Sequence, residues 1–269
     1  MVDVLLAAAL AAGTPAALPP QQAHDSPAIF VVRDADTTIY IFGTFHALDA
    51  KTQWFNEPIK AAFDQSQELV LETLIPETPA KPSASKAIPQ YQPLPVTPSA
   101  SFLATTRMAI DAGKSQGMAV GNGADMILRR AAELTGKPVE GLETLEFQLN
   151  MFDRIPNAAA AAPPQPGAPV EGAGGAMESL SKSMAEMQSA WKRGDQSVFV
   201  RMLGQLQQNS PDTYRVMFIE RNARWADWIA SRMQAPGTVF IAVGAGHLAG
   251  KDSLLVRLAE HGIESTRLN

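Results

Sequence analysis

The chemistry open to this sequence lies in its histidines and carboxylates, because the 269 residues include no cysteine. That absence removes disulfides, thiolate nucleophiles, zinc–thiolate centres and iron–sulfur clusters. Of the four histidines, two share a local pattern. Ile39-Tyr40-Ile41-Phe42-Gly43-Thr44-Phe45-His46-Ala47-Leu48 and Phe240-Ile241-Ala242-Val243-Gly244-Ala245-Gly246-His247-Leu248 each read as an apolar strand, a Gly-x-x-His turn and a leucine. Gly43, Gly244 and Gly246 are the expected turn and substrate-approach positions, since glycine lets a chain turn sharply where a strand ends. A second pair matches as closely: Leu71-Glu72-Thr73-Leu74 and Leu142-Glu143-Thr144-Leu145. If the four strand ends are neighbours, one crevice holds His46, His247, Glu72 and Glu143. Such a set suits a divalent metal, and its O/N donors do not separate manganese, cobalt and zinc. It also suits a metal-free acid/base pair. In a third reading the crevice holds haem, iron or a small ligand, with either histidine as an axial ligand. His24 and His261 are expected at the surface.

The elements that must place these residues alternate in type. Pro27 to Arg33 and Thr37 to Phe42 are β-rich runs around Asp34-Ala35-Asp36 and predict a hairpin. Gln53 to Gln67 has helical spacing, with Trp54, Ile59, Ala62 and Phe63 as its apolar stripe. Strands are predicted at Glu68 to Glu72, Val139 to Leu142, Thr238 to Val243 and Ile263 to Leu268. Helices are predicted at Ala124 to Leu134, Leu145 to Phe152, Glu178 to Lys192, Ser197 to Gln207, Asp212 to Met233 and Ser253 to Glu260. The alternation predicts a single α/β domain, 27–269, with a mixed, largely parallel sheet flanked by helices. Ligand crevices in such sheets lie at the carboxyl ends of the strands, where the Gly-x-x-His turns fall. Asp125, after Gly123, is expected to begin a helix, with a role in the site as the alternative. Arg221 and Asn222 sit midway along the long helix, and spacing alone makes them an exposed face with Trp225 and Trp228 as core.

Composition narrows the partners. A net charge of −5 and 46% hydrophobic residues describe a globular chain with no broad basic face for nucleic acid. Residues 1–26 are expected to be a leader: Val4 to Ala12 is apolar but too short to span a membrane, and small residues follow. No lysine or arginine precedes Arg33, so the signal is read as shortened. The expected destination is export, to the periplasm, with no stable membrane span in the mature protein. Residues 76–98, with seven prolines, and 156–175, rich in Ala, Pro and Gly, are expected to be mobile insertions at loops.

Taken in order, five segments resemble the TraB/GumN family, whose relatives include the Tiki metalloproteases and, more distantly, erythromycin-esterase-like and ChaN-like proteins. They are Thr38 to His46, Glu68 to Glu72, Gly136 to Thr144, Glu220-Arg221-Asn222-Ala223-Arg224-Trp225 and Val243 to Leu248. The resemblance implies a mixed sheet of two halves that each supply a Gly-x-x-His, and in Tiki-like members a metal-dependent peptidase. It thereby implies a metal-dependent hydrolase of a peptide or small-molecule substrate, with Glu72 or Glu143 as general base. It moves Arg221 and Asn222 to the crevice, to hold a substrate or a developing oxyanion. Two positions depart from the family pattern, Leu74 and Phe147, where acidic residues are common.

A single catalytic unit has a kinetic consequence. His46→Ala and His247→Ala should each abolish turnover, and the double variant should be little worse than either single. Both positions are read as facing a solvated crevice, so neither change is expected to cost much thermal stability. Full activity in either single variant, measured by kcat/KM, would refute the assignment.

Overall fold

The computed structural model describes residues 26–74, 111–153 and 173–269. Residues 1–25 of the expected leader, including His24, the expected insertion at 76–98 and most of that at 156–175 lie outside these residues. Among the described residues, no helix is long and apolar enough to cross a membrane.

Strands β1 (Ile29–Arg33) and β2 (Thr37–Thr44) form the expected antiparallel hairpin. Its turn is held by the Asp34 carboxylate, which accepts from the backbone N–H groups of Asp36 and Thr37 at 3.1 and 2.8 Å, as aspartate does in turns. Strands β4 (Glu68–Thr73), β6 (Val139–Glu143), β7 (Gly237–Gly244) and β8 (Thr266–Arg267) complete a six-stranded sheet in the order β6-β4-β7-β2-β1-β8. β6, β4, β7 and β2 run parallel, and β1 antiparallel to both its neighbours. A separate two-stranded pair, β3 (Leu48–Asp49) with β5 (Met118–Ala119), was not foreseen. Two residues per strand are too few for a periodic signal.

Helices cover both faces, so the strands are apolar on both sides. Ile29, Val31, Tyr40, Phe42, Leu69, Leu71, Phe240 and Ala242 pack with α1 (Ile59–Gln65), α2 (Ala124–Thr135), the end of α4 (Ala173–Lys192) and α5 (Ser197–Asn209). The alternate residues Phe30, Val32, Ile39, Ile41, Val70, Val239, Ile241 and Val243 pack with α7 (Glu220–Arg232) and α8 (Leu254–Glu260). Between β6 and α4 lies α3 (Leu145–Asp153).

Several predicted elements change extent. The helix expected from Gln53 begins only at Ile59, because Pro58 has no N–H and its ring restricts the residue before it. Trp54 still reaches the core, stacked on Phe42 at 5.3 Å between ring centroids. The single helix expected over Asp212 to Met233 is α6 (Pro211–Tyr214), a wide π turn at Arg215–Ile219, and α7. The N–H of Glu220 reaches back five residues to the Arg215 carbonyl, a departure that sequence periodicity does not report. The last strand shortens to Thr266–Arg267.

The start of α2 is docked on the loop that carries His46. Ala124 N–H donates to the Phe45 carbonyl at 2.9 Å, and a Cβ on Gly123 would lie 2.3 Å from the His46 carbonyl oxygen. The backbone φ of Gly123 is −55°, so its role is to allow close approach and not a left-handed turn. Gly123→Ala must therefore push α2 off the loop. The expected cost is about 1–3 kcal/mol, read as a lower urea midpoint, with lower activity alongside; an unchanged midpoint would mean the loop yields freely.

Candidate active site

Because β6, β4, β7 and β2 are parallel neighbours, Glu143, Gly244 and Thr44 end their strands at one edge of the sheet, and Glu72 lies one residue before the end of β4 at the same edge. His46 follows β2 by two residues, and His247 lies in the short 3-10 turn Ala245–Leu248 that leaves β7. The two rings meet over Gly244: a Cβ there would sit 3.2 Å from His46 Nε2, 3.5 Å from Glu72 Oε2 and 3.6 Å from His247 Cδ2. None of Gly43, Gly244 and Gly246 has a positive φ. They serve close packing: a Cβ on Gly43 would be 3.2 Å from Ala245 Cα, and one on Gly246 3.3 Å from the Phe218 ring.

Arg221 stands at the centre. Only 1% exposed, it reaches up from α7 and donates from Nε and Nη2 to Glu143 at 3.0 and 2.9 Å, and from Nη2 to Glu72 Oε1 at 2.5 Å. Glu143 also accepts from Arg224 Nη2 at 3.0 Å and from the Trp225 indole at 3.1 Å. Glu72 Oε2 accepts from the Gly244 N–H at 3.2 Å. Asn222 is as buried as Arg221, which overturns the exposed-face reading of spacing alone.

A chain of hydrogen bonds sets the protonation of His247. Asn222 Nδ2 donates to the Asp252 carbonyl at 2.8 Å, so its Oδ1 faces His247 Nδ1 at 2.7 Å and must accept. Nδ1 therefore carries the hydrogen, and the Nε2 lone pair faces Arg221 Nη1 at 3.3 Å. The ring, 5% exposed, is enclosed by Trp225 and Phe218 at 4.4 and 4.8 Å between centroids. Burial, opposed by Glu72 and aided by Arg221, pushes its pKa down to about 3. His247 is a neutral group at physiological pH.

His46 differs in each respect. Its side chain is 58% exposed, and Nδ1 lies 3.3 Å from Asp125 Oδ1. Desolvation by the surrounding atoms works against protonation, but the Asp125 hydrogen bond and the charges of Asp125 and Glu72 outweigh it and raise the pKa to about 9. With the ring open to water, screening weakens both effects, and the direction follows from the Asp125 contact. Burial works to raise Glu72, but Arg221, then His247 and His46, hold it at about 2.

These residues floor a cavity of about 830 Å³ that runs out between the β5 segment, α4, α5 and the π turn. Arg221 stands among His247, Glu72 and Glu143 and reaches all three, while His46 Nε2 is turned to the cleft beside Gly244. Among the described residues, no group of three or more His, Asp and Glu side chains is arranged to hold a metal ion. Sequence reasoning placed Asp125 first as a helix start, with a site role as the alternative, and it did not foresee Arg224 or the Trp225 indole on Glu143. The one signal for Arg224 was its position one helical turn beyond Arg221.

Fold and floor together define a mixed α/β protein with an acid/base cleft at the carboxyl edge of its parallel strands. The chain belongs to the TraB/PrgY/gumN family, whose family model matches residues 28–108 and 86–267. No curated protein and no solved structure matches the chain.

The two histidines should not respond alike to truncation, which corrects the expectation that both changes are mild. His247→Ala strips a partner from buried Asn222 Oδ1 and Arg221, and should cost about 2 kcal/mol or more. His46→Ala should stay within about 0.5 kcal/mol, as at other exposed positions. Acid should act through the same residues. The folded pKa of His247 lies below its usual 6.5, and that of Glu72 below its usual 4.5. Their stabilisation is full above those values and is lost as pH falls through about 3 and about 2, because the unfolded state then binds more protons. A urea midpoint that stays flat as pH falls below 6.5 would show that His247 charges freely inside the fold.

Proposed function

We propose that this protein hydrolyses an ester or amide, with His46 carrying the proton. The observation that supports this is the His46–Asp125 pair at the cavity floor. A carboxylate holds Nδ1 at 3.3 Å, and Nε2 is turned to Gly244 and Glu72 Oε2. A water between His46 and Glu72 would give its proton to neutral His46 as its oxygen bonds to the carbonyl carbon. The bond from that carbon to the leaving oxygen or nitrogen then breaks, and the imidazolium returns the proton to the leaving group. Glu72, held ionised by Arg221, is too weak a base for this step. Its part is to hold the water and the imidazolium. Asn222 and His247 act on Arg221 and keep the floor rigid. The exported, periplasmic location expected from the leader belongs to the same proposal.

A metal-dependent form of the reaction, with manganese, cobalt or zinc on His46, His247, Glu72 and Glu143, requires Arg221 to release three of those groups. What favours it is the carboxylate on His46 Nδ1, a partner common behind metal-bound imidazoles. The haem reading retains only His46 as an axial ligand, since both nitrogens of His247 are engaged; a Soret band in the purified protein would carry it.

The pH profile separates the forms. With His46 raised to about 9 and faced by Asp125, Glu72, Arg221 and His247, its neutral form grows as pH rises. In the metal-free form kcat/KM should climb about tenfold per pH unit and level near that value. A metal would displace the proton and bring the plateau to about 7. It would also raise the wild-type melting temperature and leave His46→Ala unresponsive. No hydrolysis of any ester or amide over this range, with or without added metal, would refute the proposal.

A further inference from the structure

The cavity above the floor is built in an unusual way for a peptide site. An extended peptide presents one N–H and one C=O per residue, and each needs a partner when buried. The cavity walls are Met118, Met184, Met202, Met217, Phe45 and Phe218, with glycine, alanine and other apolar positions between them. Polar side chains meet the cavity at His46, Glu72, Arg221, His247 and Thr44 on the floor, and at Lys114 on one edge. Among the described residues the buried Thr44 hydroxyl has no hydrogen-bond partner. Polar floor and apolar walls match an amphiphile with one polar end. The volume of about 830 Å³ lies within the range of sites that enclose a small-molecule ligand, about 300–1,000 Å³. Four methionines suit a hydrocarbon of variable length, because an unbranched thioether side chain repacks at little cost.

We infer that the cavity takes the acyl chain of a lipid-like ester or amide, with its carbonyl on the floor beside His46. The inference rests on the hydrolase reading for the reaction, but not for the binding. Water adds its oxygen to the acyl carbon, the bond to the alcohol oxygen or amine nitrogen breaks, and the proton passes through His46 to that leaving group. The products are a fatty acid and an alcohol or amine; the acid's remaining proton then moves to the neutral His46, which leaves the fatty-acid carboxylate facing the imidazolium. No oxidant or further reactant is needed.

The binding half is testable without turnover. Hexanoate, octanoate, decanoate and dodecanoate are titrated against the whole purified protein by calorimetry. The expected result is one site per chain, with affinity rising about fourfold per methylene until the cavity is filled. Met184→Gln and Met202→Gln, checked for an unchanged circular dichroism spectrum, should each weaken dodecanoate at least tenfold. Should either variant misfold, the wild-type length series decides alone. Absence of binding, many weak sites, or affinity independent of length would overturn the inference. The nitrophenyl esters of the same acids then separate it from the hydrolase proposal. Length-dependent binding without ester hydrolysis would sink the proposed reaction and leave the acyl site standing. Hydrolysis of short soluble peptides or acetyl esters without dodecanoate binding would sink the acyl site and leave the reaction standing.

Discussion

The guanidinium of Arg221 is the constraint around which the rest is arranged. It is buried with Glu143 and beside Glu72, with side-chain exposures of 2, 3 and 15%. Charges so far from water are tolerated only when paired and fully hydrogen-bonded. Three groups meet that need at Glu143: the Arg221 fork, Arg224 and the Trp225 indole. At Glu72 the second oxygen is taken up by the Gly244 backbone. Loss of the guanidinium would leave Glu72 without its cation and Glu143 with Arg224 and the Trp225 indole alone, and breaking a buried pair costs about 3–5 kcal/mol. The pair's worth lies in the arrangement it enforces, because it ties β4 and β6 to α7 at the edge where the strands end.

That edge gives the two histidines different characters from one local pattern. β2 and β7 are parallel neighbours paired Thr44 to Gly244, so each releases its loop over the same cleft. The loop from β7 turns at once into a 3-10 turn and tucks His247 between Trp225 and Phe218. The loop from β2 runs outward and leaves His46 in solvent, steadied by Asp125 at the start of α2. One ring is a neutral strut inside a hydrogen-bond chain. The other is a raised, accessible imidazole, suited to moving a proton.

The π turn is the device that lets α7 serve both the core and the site. Arg221, Asn222 and Trp225 all point inward from α7, while Trp228 is only partly buried. A π turn at Arg215–Ile219 changes the helical phase just before Glu220, and such turns recur at functional sites. Arg221 also lies against the Trp225 ring at 4.7 Å, which adds a cation–π contact to the paired charges.

The sequence by itself determined the strands that lead to Glu72, Glu143 and both Gly-x-x-His turns and a mixed, largely parallel sheet, and it left the meeting of the four residues conditional on those strand ends being neighbours, which the order β6-β4-β7-β2 supplies. Those follow from local signals: apolar runs of strand length, glycines where strands stop, and helical spacing between them. It did not determine which groups remain free once they converge. Arg221 and Asn222 look like an exposed helix face by spacing, and only packing buries them and commits them to Glu143, Glu72 and His247. Asp125 reads as the first turn of a helix, and only the docking of α2 on the His46 loop, through the missing side chain of Gly123, makes it a partner of that imidazole. Partner choice depends on distances between segments up to 172 residues apart, as between Gly244 and Glu72, and on the desolvation they share. Neither quantity exists until the chain has folded.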